Sequence, residues 1–127
     1  MRMRKKKYLD ERIDAVSELI LETKSDERDF NKAIEDKEFF DYKEIFGNDN
    51  PVRMEIGCGK GSFVVGMAKM YPDVNFIAIE KVEDVIVMAM EKAIENEVTN
   101  VLFMDLDAER IEDFFEKGEI GRIYLNF

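Results

Sequence analysis

Residues 55–61 read Glu55-Ile56-Gly57-Cys58-Gly59-Lys60-Gly61. Glycines at three alternate positions let a chain bend sharply and let a ligand approach the backbone. The nicotinamide and flavin fingerprint is G-x-G-x-x-G, built to set a pyrophosphate against a helix N-terminus. Here Ser62 stands where its third glycine would be. The phosphate loop G-x-x-x-x-G-K-[ST] is also absent. Glu55, two residues before the first glycine, would repel phosphate and favour a ligand with a cationic head. S-adenosylmethionine has an ammonium, a sulfonium and no phosphate, so on charge it fits this turn better than a dinucleotide does.

Two more acids follow at informative spacing. Glu80 lies 23 residues after Gly57, where an acid at a strand end can accept hydrogen bonds from ribose hydroxyls. Asp107 follows a third apolar run and can accept from an adenine exocyclic amine. Each acid also has a plain structural reading. Glu55 can be an exposed strand-end residue, Glu80 can pair with Lys81 at the surface, and Asp107 can cap the next helix. All three at successive strand ends favour a cofactor site. Cys58 reads as a small turn filler; Lys60 and a helix N-terminus would lower its pKa. With no His and one Cys in the chain, the usual zinc sites and His-based catalysis are excluded. No metal is expected.

The elements that must position these residues are legible in the periodicity. Val52–Ile56, Val74–Ile79, Val101–Met104 and Gly121–Phe127 read as strands. Ser62–Tyr71, Glu83–Glu97 and Ala108–Lys117 read as helices, although Val85–Met90 alone resembles a strand. This β-α-β-α-β-α-β order predicts an α/β fold, a parallel sheet with helices on both faces. Residues 10–23 have helical spacing at Ile13, Val16, Ile20 and Leu21; residues 24–44 are charged and linker-like, with one short helix. The turn signal GNDNP at 47–51 separates a lead-in, 1–50, from a compact unit, 51–127.

The chain has 127 residues and a net charge of −10, the size of one modest domain. Arg2, Arg4, Lys5, Lys6 and Lys7 give five positive charges in the first seven residues, leaving −15 on residues 8–127. A basic arm before an acidic body suits contact with a phosphate backbone; a solubilising terminus is the bland alternative. No run is apolar enough to cross a bilayer, and a cytoplasmic location is expected.

Taken together, MRMRKKK at the start, IFGNDNP, MEIGCGKGSF, FIAIEK, DLDAE and RIYLNF resemble the bacterial tRNA (guanine-N7)-methyltransferase family. Residues 9–44 match it least clearly. The resemblance implies the class I methyltransferase (Rossmann-like) fold and methyl transfer from S-adenosylmethionine to N7 of a guanine in the tRNA variable loop. It implies Glu55, Gly57, Gly59, Gly61, Glu80 and Asp107 as cofactor-binding residues. It implies tRNA contact by the arm Arg2, Arg4, Lys5, Lys6 and Lys7. In the family, L-N-F runs on into S-D-P-W-P and a basic stretch that supplies another acid and tRNA contacts. The expectation is therefore a sheet incomplete after its fourth strand, with the catalytic residues beyond Phe127 and Ile123–Phe127 an edge able to self-associate. A methyltransferase of another substrate and a non-catalytic cofactor-binding module are the alternatives. A nicotinamide-dependent oxidoreductase is the weakest.

Overall fold

The run Asn75–Glu80 forms the most enclosed strand of the protein. In the computed structural model, which describes residues 11, 12, 15, 17–20, 41–111, 115 and 120–125, five of its six residues are buried. Enclosure on both faces is why it reads as an apolar run and does not alternate. In chain order the elements are α1 (Tyr42–Phe46), β1 (Val52–Ile56), α2 (Ser62–Met70), β2 (Asn75–Glu80), α3 (Glu83–Glu95), β3 (Val101–Asp105) and β4 (Arg122–Leu125). Short 3₁₀ turns occur at Ser17–Leu19 and Ala108–Arg110. Every strand pair is parallel and the order is β3-β2-β1-β4. The chain steps outward from β1 to β3 and then returns to the far side of β1. Such a reversal is where open parallel sheets bind ligands, beyond the carboxyl ends of the strands.

Strand alternation splits the core into two layers. Val52, Met54 and Ile56 of β1 join Ile77 and Ile79 on one face, where Tyr42, Ile45 and Phe46 of α1 pack. Phe76, Ala78 and Phe103 lie on the other, under Val64, Val65 and Ala68 of α2 and Ile86, Val87, Met90 and Ala93 of α3. That last spacing is helical, so the apolar run Val85–Met90 is helix, not strand. Two asparagines join the ends of these elements. Buried Asn75 donates through Nδ2 to Asn48 Oδ1 at 2.8 Å, fastening the GNDNP turn to the start of β2. Asn100 Nδ2 reaches the carbonyls of Ala68, Tyr71 and Val74 at 2.8–3.1 Å, closing the end of α2 onto β3.

Several boundaries differ from the sequence reading. The second strand runs one residue later, because Val74 N–H bonds back to the Tyr71 carbonyl as part of a turn. Helix α3 ends two residues early, with Glu97 in the left-handed region at φ 56°. The stretch read as a helix over 108–117 opens with a 3₁₀ turn at Ala108–Arg110, after which Ile111 is helical and its carbonyl accepts from the Phe115 N–H at 3.0 Å; residues 112–114 and 116–119 lie outside the described residues. Of the helix expected at 10–23 only parts are described. Ile20 makes a parallel bridge to Phe103 on the outer edge of β3, and Arg12 pairs with Glu91 of α3. The basic arm 2–7 lies outside the described residues. On β4, Ile123 and Leu125 are exposed.

Gly61 sits where α2 meets α3. A Cβ there would lie 2.8 Å from Ala89 Cβ and 2.9 Å from Ala89 Cα, and its φ is +87°. Gly47 has a similar φ, +76°, but open space around it. Gly47→Ala should therefore cost about 1 kcal/mol from backbone strain alone. Gly61→Ala adds overpacking against a helix backbone and should cost about 3 kcal/mol. Urea midpoints of the two variants measure the difference; equal midpoints would show that the α2–α3 approach is not tight.

Candidate functional site

After Ile56 the chain turns through Gly57–Gly61 and folds over the end of the neighbouring strand. The N–H groups of Gly57 and Cys58 both donate to the Ile79 carbonyl, at 2.8 and 3.0 Å. Gly59 has φ +55°, a left-handed conformation that a residue with a side chain rarely adopts. Its N–H donates to Glu80 Oε1 at 3.1 Å. Glu80 Oε2 accepts from the N–H groups of Lys81 and Val82, at 2.9 and 3.2 Å. Glu80 is thus held by backbone donors, and among the described residues it forms no ion pair with Lys81. Asp107, just past β3, accepts from the Glu109 N–H through Oδ1 at 3.0 Å. It caps the 3₁₀ turn and also faces the same space.

That space is a cleft of about 390 Å³ beyond the carboxyl ends of β1, β2 and β3. Its walls are the turn Gly57–Gly59, the acids Glu80 and Asp107, Lys81, and an apolar side made by Ile56, Ile79 and Leu106. The volume suits a small molecule. Two carboxylates against one ammonium favour a ligand that carries positive charge over a pyrophosphate. Among the described residues no cluster of His, Cys, Asp and Glu could hold a metal ion.

The structure brings Gly57, Gly59, Glu80 and Asp107 together around this cleft. It places Glu55 and Gly61 elsewhere. Glu55 is 1 % exposed and lies one residue before the end of β1, in register with Ala78 of β2 and Tyr124 of β4. The strand's alternation carries it into the layer beneath α2 and α3, not into the cleft wall. Gly61 starts α2 against Ala89. The apolar wall and Lys81 are what the motif reading missed. Their signal was positional: Ile56, Ile79 and Lys81 directly flank Gly57 and Glu80 in the sequence.

Cys58 also behaves differently from the sequence expectation. Burial pushes its thiol up to about 12, with the charges of Glu55 and Glu80 adding to the effect. Desolvation of the thiolate outweighs the backbone hydrogen bond that favours it. At neutral pH the thiol therefore stays protonated more completely than that of an ordinary cysteine. Iodoacetamide should label the native chain far more slowly than the urea-unfolded chain. Because Cys58 is the single cysteine, intact mass reads this directly; equal rates would contradict the burial.

Residues 49–127 match the family model Methyltransf_4, described as "Putative methyltransferase". A tRNA (guanine-N(7)-)-methyltransferase of Listeria monocytogenes serotype 4b is 56 % identical over 86 residues, covering 68 % of this chain and 40 % of that protein. One of the same name from Bacillus cytotoxicus is 43 % identical over all 127 residues, which cover 54 % of it. The chain thus spans about half the length of the curated relatives it matches. A solved structure titled "Structure of an antibiotic related Methyltransferase" shares the fold, with a TM-score of 0.53 and 23 % identity over 67 % of this chain and 44 % of that one. On the family match, which takes in the whole glycine turn and all four strands, the chain belongs to this methyltransferase family.

Proposed function

We propose that this chain is the S-adenosylmethionine-holding part of an enzyme that methylates N7 of guanine in tRNA. The observation that carries the reading is the cleft itself: a glycine turn, Glu80, Asp107 and an apolar wall converge at one sheet edge. The similarity to proteins named tRNA (guanine-N(7)-)-methyltransferase supports the substrate. Residues 51–127 form the cofactor-holding unit in this reading. Residues 1–50 are its lead-in, and Arg2, Arg4, Lys5, Lys6 and Lys7 would meet tRNA phosphates. No helix among the described residues is long and apolar enough to cross a membrane, and a cytoplasmic site of action fits a tRNA substrate.

When bound, S-adenosylmethionine supplies an electrophilic methyl on a cationic sulfur. The chain's own residues would bind and orient it. Glu80 accepts from the ribose, Asp107 accepts from the adenine amine, and Ile56, Ile79 and Leu106 exclude water from the purine. The turn Gly57–Gly59 lets the ligand lie close to the backbone. Guanine N7 has an in-plane lone pair, so no proton must leave before attack on the methyl carbon. The chemistry needs position more than a base, which suits a chain without histidine. The residues that hold the guanine are assigned to the part of the relatives that this chain does not span.

Calorimetry with S-adenosylhomocysteine and NAD tests the ligand class. S-adenosylhomocysteine should bind, NAD should not, and Asp107→Ala should weaken binding about tenfold through one lost hydrogen bond. Preferential binding of NAD would overturn the reading. Labelled-methyl transfer to tRNA tests the reaction. The 127-residue chain alone should bind weakly and transfer nothing, and a relative of full length should yield 7-methylguanine. Binding without transfer by such a relative would favour a cofactor-binding module.

A further inference from the structure

We propose that the β4 side of α2 is a contact surface for single-stranded RNA, with Arg53 and Arg122 on phosphates and a base stacked on Phe63. This rests on the reading of tRNA as the substrate, and adds to the basic arm a surface on the folded unit. Arg53 of β1 and Arg122 of β4 stand opposite one another in register. Arg53 precedes Met54, which belongs to the α1 layer, and is in register with Phe76 of the other layer. Both arginines therefore face the α2 side of the sheet. Like charges placed directly opposite repel. The chain has 29 Asp and Glu, yet among the described residues neither arginine forms an ion pair. Two guanidinium groups side by side with no carboxylate between them suit an external anion, and their planar donors match the oxygens of a phosphate.

Open aromatic rings continue this surface along α2. The Arg53 guanidinium lies over the Tyr71 ring, 5.3 Å from its centroid, at the end of the helix. Phe63 stands at the other end, about 12 Å away along the axis. Its ring meets the Tyr124 ring of β4 edge-on, with centroids 5.2 Å apart and planes at 64°. Support from β4 fixes the Phe63 ring, yet Phe63 is 38 % exposed and Tyr71 40 %. Bases stack on such rings whatever their sequence, while cations beside them follow the backbone. Phe63 is also two residues past Gly61, so RNA laid on this strip arrives beside the glycine turn.

The test is binding of an unmodified tRNA transcript to the 127-residue chain over a range of salt. Arg53→Gln and Arg122→Gln should each flatten the slope of log Kd against log salt by about 0.7, the share of one single-strand phosphate contact. Lys43→Gln removes the same charge from α1, on the opposite face of the sheet, and should leave the slope unchanged. Phe63→Ala should weaken binding about tenfold at an unchanged slope, and Phe63→Tyr should retain it. The urea midpoint of Arg122→Gln should not fall, because a repulsion is removed. S-adenosylhomocysteine titrated against each variant reports the fold and the cofactor reading separately.

An equal change of slope in Lys43→Gln would overturn the proposal, since the attraction would then be general. So would unchanged slopes in the arginine variants, full-strength binding by Phe63→Ala, a lowered midpoint in Arg122→Gln, or no tRNA binding by the chain. A dimer that dissolves in Arg53→Gln with tRNA binding intact would make a second copy the occupant and overturn it too. In each case S-adenosylhomocysteine binding still decides the cofactor reading, and methyl transfer by a relative of full length decides the substrate.

Discussion

The last two residues of β2 hold the glycine turn that follows β1, and the rest of the site is arranged around that contact. The Ile79 carbonyl accepts two N–H groups from Gly57 and Cys58, and the Glu80 carboxylate accepts a third from Gly59. A turn bound so closely to the next strand cannot drift, so the start of α2 is delivered against Ala89 of α3. The cleft is then the space left beyond three strand ends, with β3 supplying Asp107 and Leu106 to close it. Parallel strands make this possible. Their carboxyl ends all point the same way, so short turns from separate parts of the chain share one edge.

Charge and burial divide the acids of this region into different roles. Glu80 and Asp107 stand at the cleft and are held by backbone donors. Glu55 lies inside the sheet–helix layer. Desolvation holds the proton on the buried Cys58 thiol, and the charges of Glu55 and Glu80 add to it. The result is an acidic, partly apolar cleft in a protein whose net charge is −10. Overall acidity therefore does not argue against an RNA-modifying role. Five of the nineteen Lys and Arg residues stand together in residues 2–7, apart from the acidic cleft in sequence.

Much of this was legible in the residues because it depends on near neighbours. A three-glycine turn between an apolar run and a helical repeat marks a strand–turn–helix whatever surrounds it. That turn points to Gly57 and Gly59, the ends of the next two apolar runs point to Glu80 and Asp107, and the structure gathers all four around one cleft. Glu55 and Gly61 belong to the same turn in sequence and do not line it. One residue of register decides whether a strand-end acid faces the ligand or the helix layer, and only pairing with neighbouring strands sets which layer is filled. Cys58 was misjudged for a related reason: its charged neighbours in sequence are visible, but the desolvation that dominates comes from residues far along the chain.

The sequence by itself determined the strands and helices, the glycine turn, the acidic strand ends and the apolar character of β2, because each follows from periodicity or conformational preference over a few residues. The tertiary structure decided the order β3-β2-β1-β4, which puts β4 beside β1. It decided the burial of Glu55 and the hydrogen bond from Gly59 to Glu80. These depend on which distant segments pack together, and local pattern carries no term for the hydrogen bonds and desolvation that arise only when they do.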